Sequence, residues 1–228
     1  MAKKAKSHLR FSDREQQLGW VYFVIYLFFL PGLLRSLLPE CGELTLNTIY
    51  YCINFLAIIL IFRSFLGKSL EPIGQRPWRF LLIALIGFAA VLASDFAMEL
   101  IVKRLAPGFA NANDEAFREL TRSGKLLTLL CAAVLVPPVE ECMFRGLIFR
   151  GLLPTNRVGA YCLSVLAFSG LHILSYLGTL SGQDLLICFV QYLPAGLVLA
   201  WSLEQTDSIY APILIHAAVN TVGILTMR

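Results

Sequence analysis

Apolar stretches of membrane-spanning length recur along this chain, and nothing else in it constrains the fold as tightly. Seven can be marked, at about residues 19–38, 47–65, 79–100, 125–152, 158–176, 184–203 and 209–227. A helix needs about 20 mainly apolar residues to cross the hydrocarbon layer of a bilayer. Within that layer backbone polar groups must bond inside the structure, which a helix achieves segment by segment. Only 15% of the 228 residues are charged, 57% are hydrophobic, and the mean hydropathy is +0.71. Soluble domains carry about 25% charged residues. The expected fold is therefore all-α: a polytopic transmembrane helical bundle of about 7–8 spans enclosing an intramembrane polar cavity.

The choice between seven and eight turns on segment 125–152. It is long for one upright span and contains Pro137-Pro138. Proline brings no backbone N–H to a helix. A break or kink is expected there, which would let the segment count as two helices and place Glu140 and Glu141 in a first helical turn, where the partly positive helix end favours carboxylates.

Basic residues set the expected orientation, because Lys and Arg accumulate on the cytoplasmic side. Residues 1–18 read as a cytoplasmic basic tail with Lys3, Lys4, Lys6, Arg10 and Arg14. Residues 19–228 read as a single transmembrane domain. The apolar stretch after the tail lacks a small-residue cleavage site, so it is expected to stay as the first span. The 63–79 connection carries Arg63, Lys68, Arg76 and Arg79, as an inner loop should, and the 39–46 loop has no Lys or Arg. The 101–125 connection disagrees: it should be external, yet holds Lys103, Arg104, Arg118, Arg122 and Lys125. Within it, Asp114 to Thr121 could form an amphipathic surface helix near a substrate entrance, but an ordinary connecting loop is the favoured reading. The expected location is the plasma (inner) membrane, with the N-terminus cytoplasmic.

The net charge of +4 gives no case for a nucleic-acid partner, since the cations sit in the tail and loops, where lipid is the natural counterpart. None of the six cysteines forms a C-x-x-C pair, so neither a disulfide framework nor a cysteine metal site is indicated.

Against this apolar background a few polar residues stand out: Glu140, Glu141 and Arg145 in one segment, His172 in the next, and His216 and Asn220 in the last. Ionisable groups at membrane depth are costly and are functional by default. Adjacent glutamates point about 100° apart on a helix. Glu141 and Arg145, four apart, can pair on one face, which leaves Glu140 free to take a proton from water. His172 and His216 can shuttle a proton or donate to developing negative charge. Asn220, one turn past His216, can donate to the same oxyanion, and Phe168, one turn before His172, can wall the cavity. A base, a proton carrier and an oxyanion donor are the parts needed to hydrolyse an amide. Asp95 and Glu99 read as interfacial or helix-pairing residues, and Asn54 and Gln191 as links between helices. Arg35 reads as snorkelling to the outer interface.

The elements Glu-Glu-x-x-x-Arg (Glu140, Glu141, Arg145), Phe-x-x-x-His (Phe168, His172) and His-x-x-x-Asn (His216, Asn220) together resemble the CPBP family of intramembrane proteases. That family includes the type II CAAX prenyl endopeptidases and the Abi-like proteins. The resemblance spans about residues 120–225. It implies a catalytic core there, with Glu140 and His172 activating water and His216 and Asn220 holding the oxyanion. Glu141, Arg145 and Phe168 are supporting residues. A zinc ion held by Glu140, His172 and His216 is the alternative. The H-E-x-x-H pattern is absent, however, and a glutamate-activated water accounts for the residues with no cofactor. The expected activity is an intramembrane endopeptidase cutting near the C-terminal or membrane-proximal part of a membrane-associated or lipidated protein or peptide. Two other classes compete. One is a non-catalytic immunity or scaffold protein of the same fold. The other is a proton-coupled carrier, which the lack of an internal repeat disfavours.

Overall fold

A computed structural model describes residues 9–226 of the chain, so Lys3, Lys4 and Lys6 of the basic tail lie outside the described residues. Those residues form helices without a β-strand among them. Helix α1 runs Asp13–Leu37, α2 Glu43–Ile61, α5 Pro77–Leu105, α6 Ala112–Arg150, α7 Arg157–Leu174 and α8 Gly182–Thr206. All six are long and apolar enough to cross a membrane. Two short helices, α3 (Arg63–Lys68) and α4 (Glu71–Gln75), follow α2. The last helix, α9 (Tyr210–Thr226), is apolar but shorter. These six helices and α9 account for the seven stretches in the sequence. The protein is an all-α, polytopic, integral membrane protein.

Local chemistry explains where several helices begin. Ser12 caps α1 by accepting from the Glu15 N–H, while the Glu15 carboxylate accepts from the Ser12 N–H at 2.9 Å. This reciprocal box satisfies two otherwise unpaired donors. It starts the helix at Asp13, inside the stretch read as tail. Glu15 also accepts from the Phe65 N–H at 2.8 Å, tying α1 to α3. Asn111 caps α6, Asn156 caps α7 and Ser181 caps α8.

Helix α6 is the axis of the bundle: 56% of its most apolar window is buried inside the protein, against 17–28% for the other five. Its Met143, Phe144, Leu147 and Phe149 are fully enclosed and share one core with Ile58 and Phe62 of the α2 end, Leu199 and Leu203 of α8, and Ile215 of α9. Gly19 of α1 lets the Phe62 ring approach; a Cβ there would lie 2.8 Å from it. Outward faces carry exposed leucines such as Leu60, Leu85 and Leu197, as lipid contact requires.

The expected break at Pro137-Pro138 does not occur. The chain stays helical through both prolines, with wide π-helical turns at Cys131–Leu135 before them and Cys142–Arg150 after them. The prolines fall in the first turn of the α-helical Val136–Glu141 segment, and the wide turns rearrange the hydrogen bonds around them. Glu140 and Glu141 therefore lie at the end of that segment, mid-helix, and no helix N-terminus faces them. The sharp interruption falls instead at Gly124, whose backbone is extended (φ −177°, ψ 83°). It separates the amphipathic start of α6 from its apolar body.

The connections alternate, so the bundle has two ends. One holds the start of α1, the α3–α4 region, and the α6–α7 and α8–α9 turns. It is sealed by Arg150, which donates to the Leu9 carbonyl at 2.8 Å and pairs with Asp207, and by Ser208 Oγ, which donates to the Ser69 carbonyl at 2.7 Å. The other end holds the α1–α2, α5–α6 and α7–α8 connections and the end of α9.

Candidate active site

Glu141 is the hub of the polar cluster. Its Oε1 lies 3.1 Å from the Arg145 guanidinium and 2.8 Å from His216 Nδ1. Both Glu141 and Arg145 are fully enclosed, at 0% exposure. A buried charge pair needs further bonds to offset desolvation. Arg145 finds them in the Gly196 carbonyl at 3.3 Å and in the Phe168 ring, which lies 4.0 Å below the guanidinium carbon. The sequence-predicted Glu141–Arg145 pair is thus present, with His216 as an additional partner that spacing does not reveal.

Glu140 points elsewhere, as adjacent helical residues must. Its Oε2 is buried and has no protein hydrogen-bond partner among the described residues, and His216 Nε2 stands 3.9 Å away. Buried carboxylate oxygens are rarely left without a partner. This one belongs to a side chain lining a cavity of about 670 Å³, together with His172, His216 and Asn220.

The histidines are oriented by their other nitrogens. His172 Nδ1 lies 2.9 Å from the Phe168 carbonyl. A carbonyl only accepts, so Nδ1 is assigned the proton, and in the neutral ring Nε2 keeps the lone pair. His172 also stacks on Tyr192, with ring centroids 3.9 Å apart and planes at 23°. Tyr192 is held by Asn113, whose Nδ2 donates to its hydroxyl at 3.0 Å, and neighbouring Gln191 accepts from Asn111 Nδ2 at 2.9 Å. His216 has the carboxylate–imidazole geometry that fixes a ring and its tautomer. Phe168 stands edge-on to both imidazoles, with centroids 4.7 Å from His172 and 5.9 Å from His216.

Asn220 Nδ2 donates to the Ala132 carbonyl at 2.9 Å. Val136 N–H reaches back five residues to Cys131. In that register the next carbonyl, Ala132, falls opposite Pro137, which has no N–H. Asn220 supplies the missing donor and fastens α9 to α6. The amide keeps a second N–H.

The structure therefore brings Glu140, Glu141, Arg145, Phe168, His172, His216 and Asn220 into one cluster. It adds Tyr192, Asn111 and Asn113, which sequence reading passed over. Asp95 lines this cavity and a second one of about 1070 Å³, which meets it at His172, Tyr192, His216 and Asn220. The stretch read as an ordinary connecting loop is instead the amphipathic first part of α6, and its Asp114 lines both cavities. Asn54 and Gln191 do link helices, Asn54 accepting from the Tyr22 hydroxyl at 2.6 Å. Among the described residues, no three His, Cys, Asp or Glu side chains are grouped so as to hold a metal ion. Both histidines use Nδ1 in hydrogen bonds, which leaves Nε2 of each as the nitrogen open to a ligand.

A buried carboxylate pair inside a helical membrane bundle, one member lining a cavity that reaches the bundle's end, defines a class of site: a polar centre embedded in a membrane protein. Comparison with known families gives the particular assignment. Residues 122–222, the segment that holds Glu140, Glu141, Arg145, Phe168, His172, His216 and Asn220, match the family described as Type II CAAX prenyl endopeptidase Rce1-like. Its general class is accordingly the CAAX-type intramembrane protease. No curated protein and no solved structure matches the chain.

Proposed function

We propose that the protein is an intramembrane endopeptidase in which Glu140 activates a water against a peptide bond. That bond lies near the C-terminal or membrane-proximal part of a membrane-associated or lipidated polypeptide. One observation carries the reading: each of the two buried glutamates has an Oε2 without a protein hydrogen-bond partner among the described residues, and Glu140 is the one whose side chain faces a cavity, shared with His172 and His216. A carboxylate placed this way can take a proton from a water bound in the cavity.

The other residues fit roles around that step. His172, with Nδ1 engaged by the Phe168 carbonyl, offers Nε2 to the same water or to the leaving amine. His216, held by Glu141, presents Nε2 toward Glu140 and can carry a proton between attack and departure. The second Asn220 N–H and the imidazole of His216 are the candidate donors to the oxyanion. Arg145 holds Glu141 in place.

Membranes from cells carrying wild-type or Glu140→Gln protein at matched expression test this. A small set of proteins should keep its C-terminal peptides only with Glu140→Gln. Identical termini in the two samples would remove the protease reading.

A further inference from the structure

We propose that one face of α2, carrying Asn47 and Tyr51, binds the backbone of the substrate polypeptide and aligns it along the cavity wall toward Glu140. This rests on the reading of Glu140 as the hydrolytic carboxylate and adds the residues that hold the chain to be cut.

Helix α2 sets a polar residue at successive turns of one face: Glu43, Asn47 and Tyr51 at i, i+4 and i+8, then Asn54 three residues on. The first three line the 670 Å³ cavity. Both ends of this column are satisfied within the protein. Glu43 pairs with Arg35 at 2.6 Å, while Asn54 accepts from the Tyr22 hydroxyl and donates to the Tyr50 carbonyl at 2.8 Å. Thr48 and Tyr50, beside the column, also have partners: Thr48 Oγ1 donates to the Leu44 carbonyl at 2.7 Å, and the Tyr50 hydroxyl to the Tyr26 carbonyl at 3.1 Å. The Asn47 amide and the Tyr51 hydroxyl have no hydrogen-bond partner among the described residues, and neither is sealed in protein. Both side chains are half-buried against the cavity. Polar groups inside an apolar bundle are ordinarily bonded. Water can serve these two until a polypeptide enters and displaces it.

The chemistry of the two groups matches a peptide backbone. A carboxamide and a phenol each offer a donor and an acceptor, as a peptide unit does. A polypeptide drawn into an apolar bundle loses water from its backbone and needs such partners. The spacing agrees as well. Four residues of helix advance about 6 Å, and two residues of extended chain about 6.6 Å. Alternate residues of an extended chain present their N–H and C=O to the same edge, so Asn47 and Tyr51 meet alternate residues of one strand. The face is held firmly where it does this. Cys131 Sγ of α6 donates to Thr48 Oγ1 at 3.6 Å, and the Tyr50 and Tyr51 rings stand edge to face with centroids 4.9 Å apart. Tyr51 lies within range of the Glu140 charge, so the deeper end of the column delivers the chain to the carboxylate. Backbone contacts read no side chain, and this face therefore accepts polypeptides of differing sequence.

Kinetics of purified wild-type, Asn47→Leu and Tyr51→Phe protein test this, on a synthetic peptide covering one terminus that Glu140→Gln membranes retain. Both variants should keep the wild-type melting midpoint, since neither side chain has a protein hydrogen bond to lose. Each should lower kcat/KM roughly 2- to 10-fold, the effect of one ordinary hydrogen bond, mainly by raising KM. Peptides with an ester oxygen in place of one backbone N–H, taken position by position, supply the second arm. At one position the ester should weaken wild type by a similar factor and cost Asn47→Leu little more. Unchanged kcat/KM in both variants, a midpoint that falls together with activity, or ester and Asn47→Leu losses that multiply at every position would overturn the proposal. If Glu140→Gln leaves every terminus unchanged, the hydrolytic reading fails and takes this one with it. Altered termini with unaltered kinetics in the α2 variants sink this one alone.

Discussion

Glu141 and His216, 75 residues apart in the chain, share a 2.8 Å contact between Oε1 and Nδ1 in the centre of the bundle. Arg145 holds the same Glu141 oxygen at 3.1 Å. The second glutamate of the pair thereby organises both a cation and an imidazole. The first is left facing the cavity, and the division of labour between adjacent carboxylates follows from the 100° step of the helix.

Glu140→Gln and Glu140→Ala should lower cleavage by at least about 100-fold, the usual range for loss of a general base being about 10²–10⁴. His172→Ala should also abolish detectable cleavage. All three should purify in detergent with wild-type helicity and size, because neither residue holds the fold together. Measured cleavage of a substrate peptide by Glu140→Ala at the wild-type rate would contradict the proposed step.

Arg145→Ala should fail differently. It leaves Glu141 buried without its cation, a loss of about 3–5 kcal/mol, and it removes the contact with Phe168. Folded yield and thermal midpoint in detergent should fall well below those of Glu140→Ala. Arg145→Lys should recover only part, since an ammonium cannot reach both Glu141 and the Gly196 carbonyl while lying flat on Phe168. A wild-type melting midpoint for Arg145→Ala would show that the pair is not structural.

Tyr192 separates a stack from a hydrogen bond. Tyr192→Phe keeps the ring against His172 and loses only the Asn113 bond, so activity should fall little. Tyr192→Leu removes the aromatic contact, worth about 0.5–1.5 kcal/mol. Its cleavage rate should drop roughly 2- to 10-fold, at 1.4 kcal/mol per tenfold, with thermal stability nearly unchanged. Equal rates for the two variants would mean that the stack does not position His172.

Prolonged exposure to EDTA or 1,10-phenanthroline should leave cleavage unchanged, and added zinc should not raise it. Inhibition reversed by zinc would place a metal among Glu140, His172 and His216, reached through the Nε2 atoms while each Nδ1 keeps its present partner.

Composition and periodicity determined that this chain crosses a membrane as helices, because apolar length and backbone hydrogen bonding leave little freedom there. They also exposed the residues of the polar cluster, since a glutamate, arginine or histidine stands out in apolar sequence, and i,i+4 spacing foretold the Glu141–Arg145 pair. Tertiary structure alone decided the rest. The Pro137-Pro138 pair reads as a break, yet π-helical turns and the Asn220 amide from α9 keep the helix whole, and that donor comes from 88 residues away. The link from Glu141 to His216, the stack of Tyr192 on His172, and the cavity that Glu140 faces all depend on how distant helices pack. Local spacing carries no information about such contacts, because each side chain finds its partner only when the bundle closes around α6.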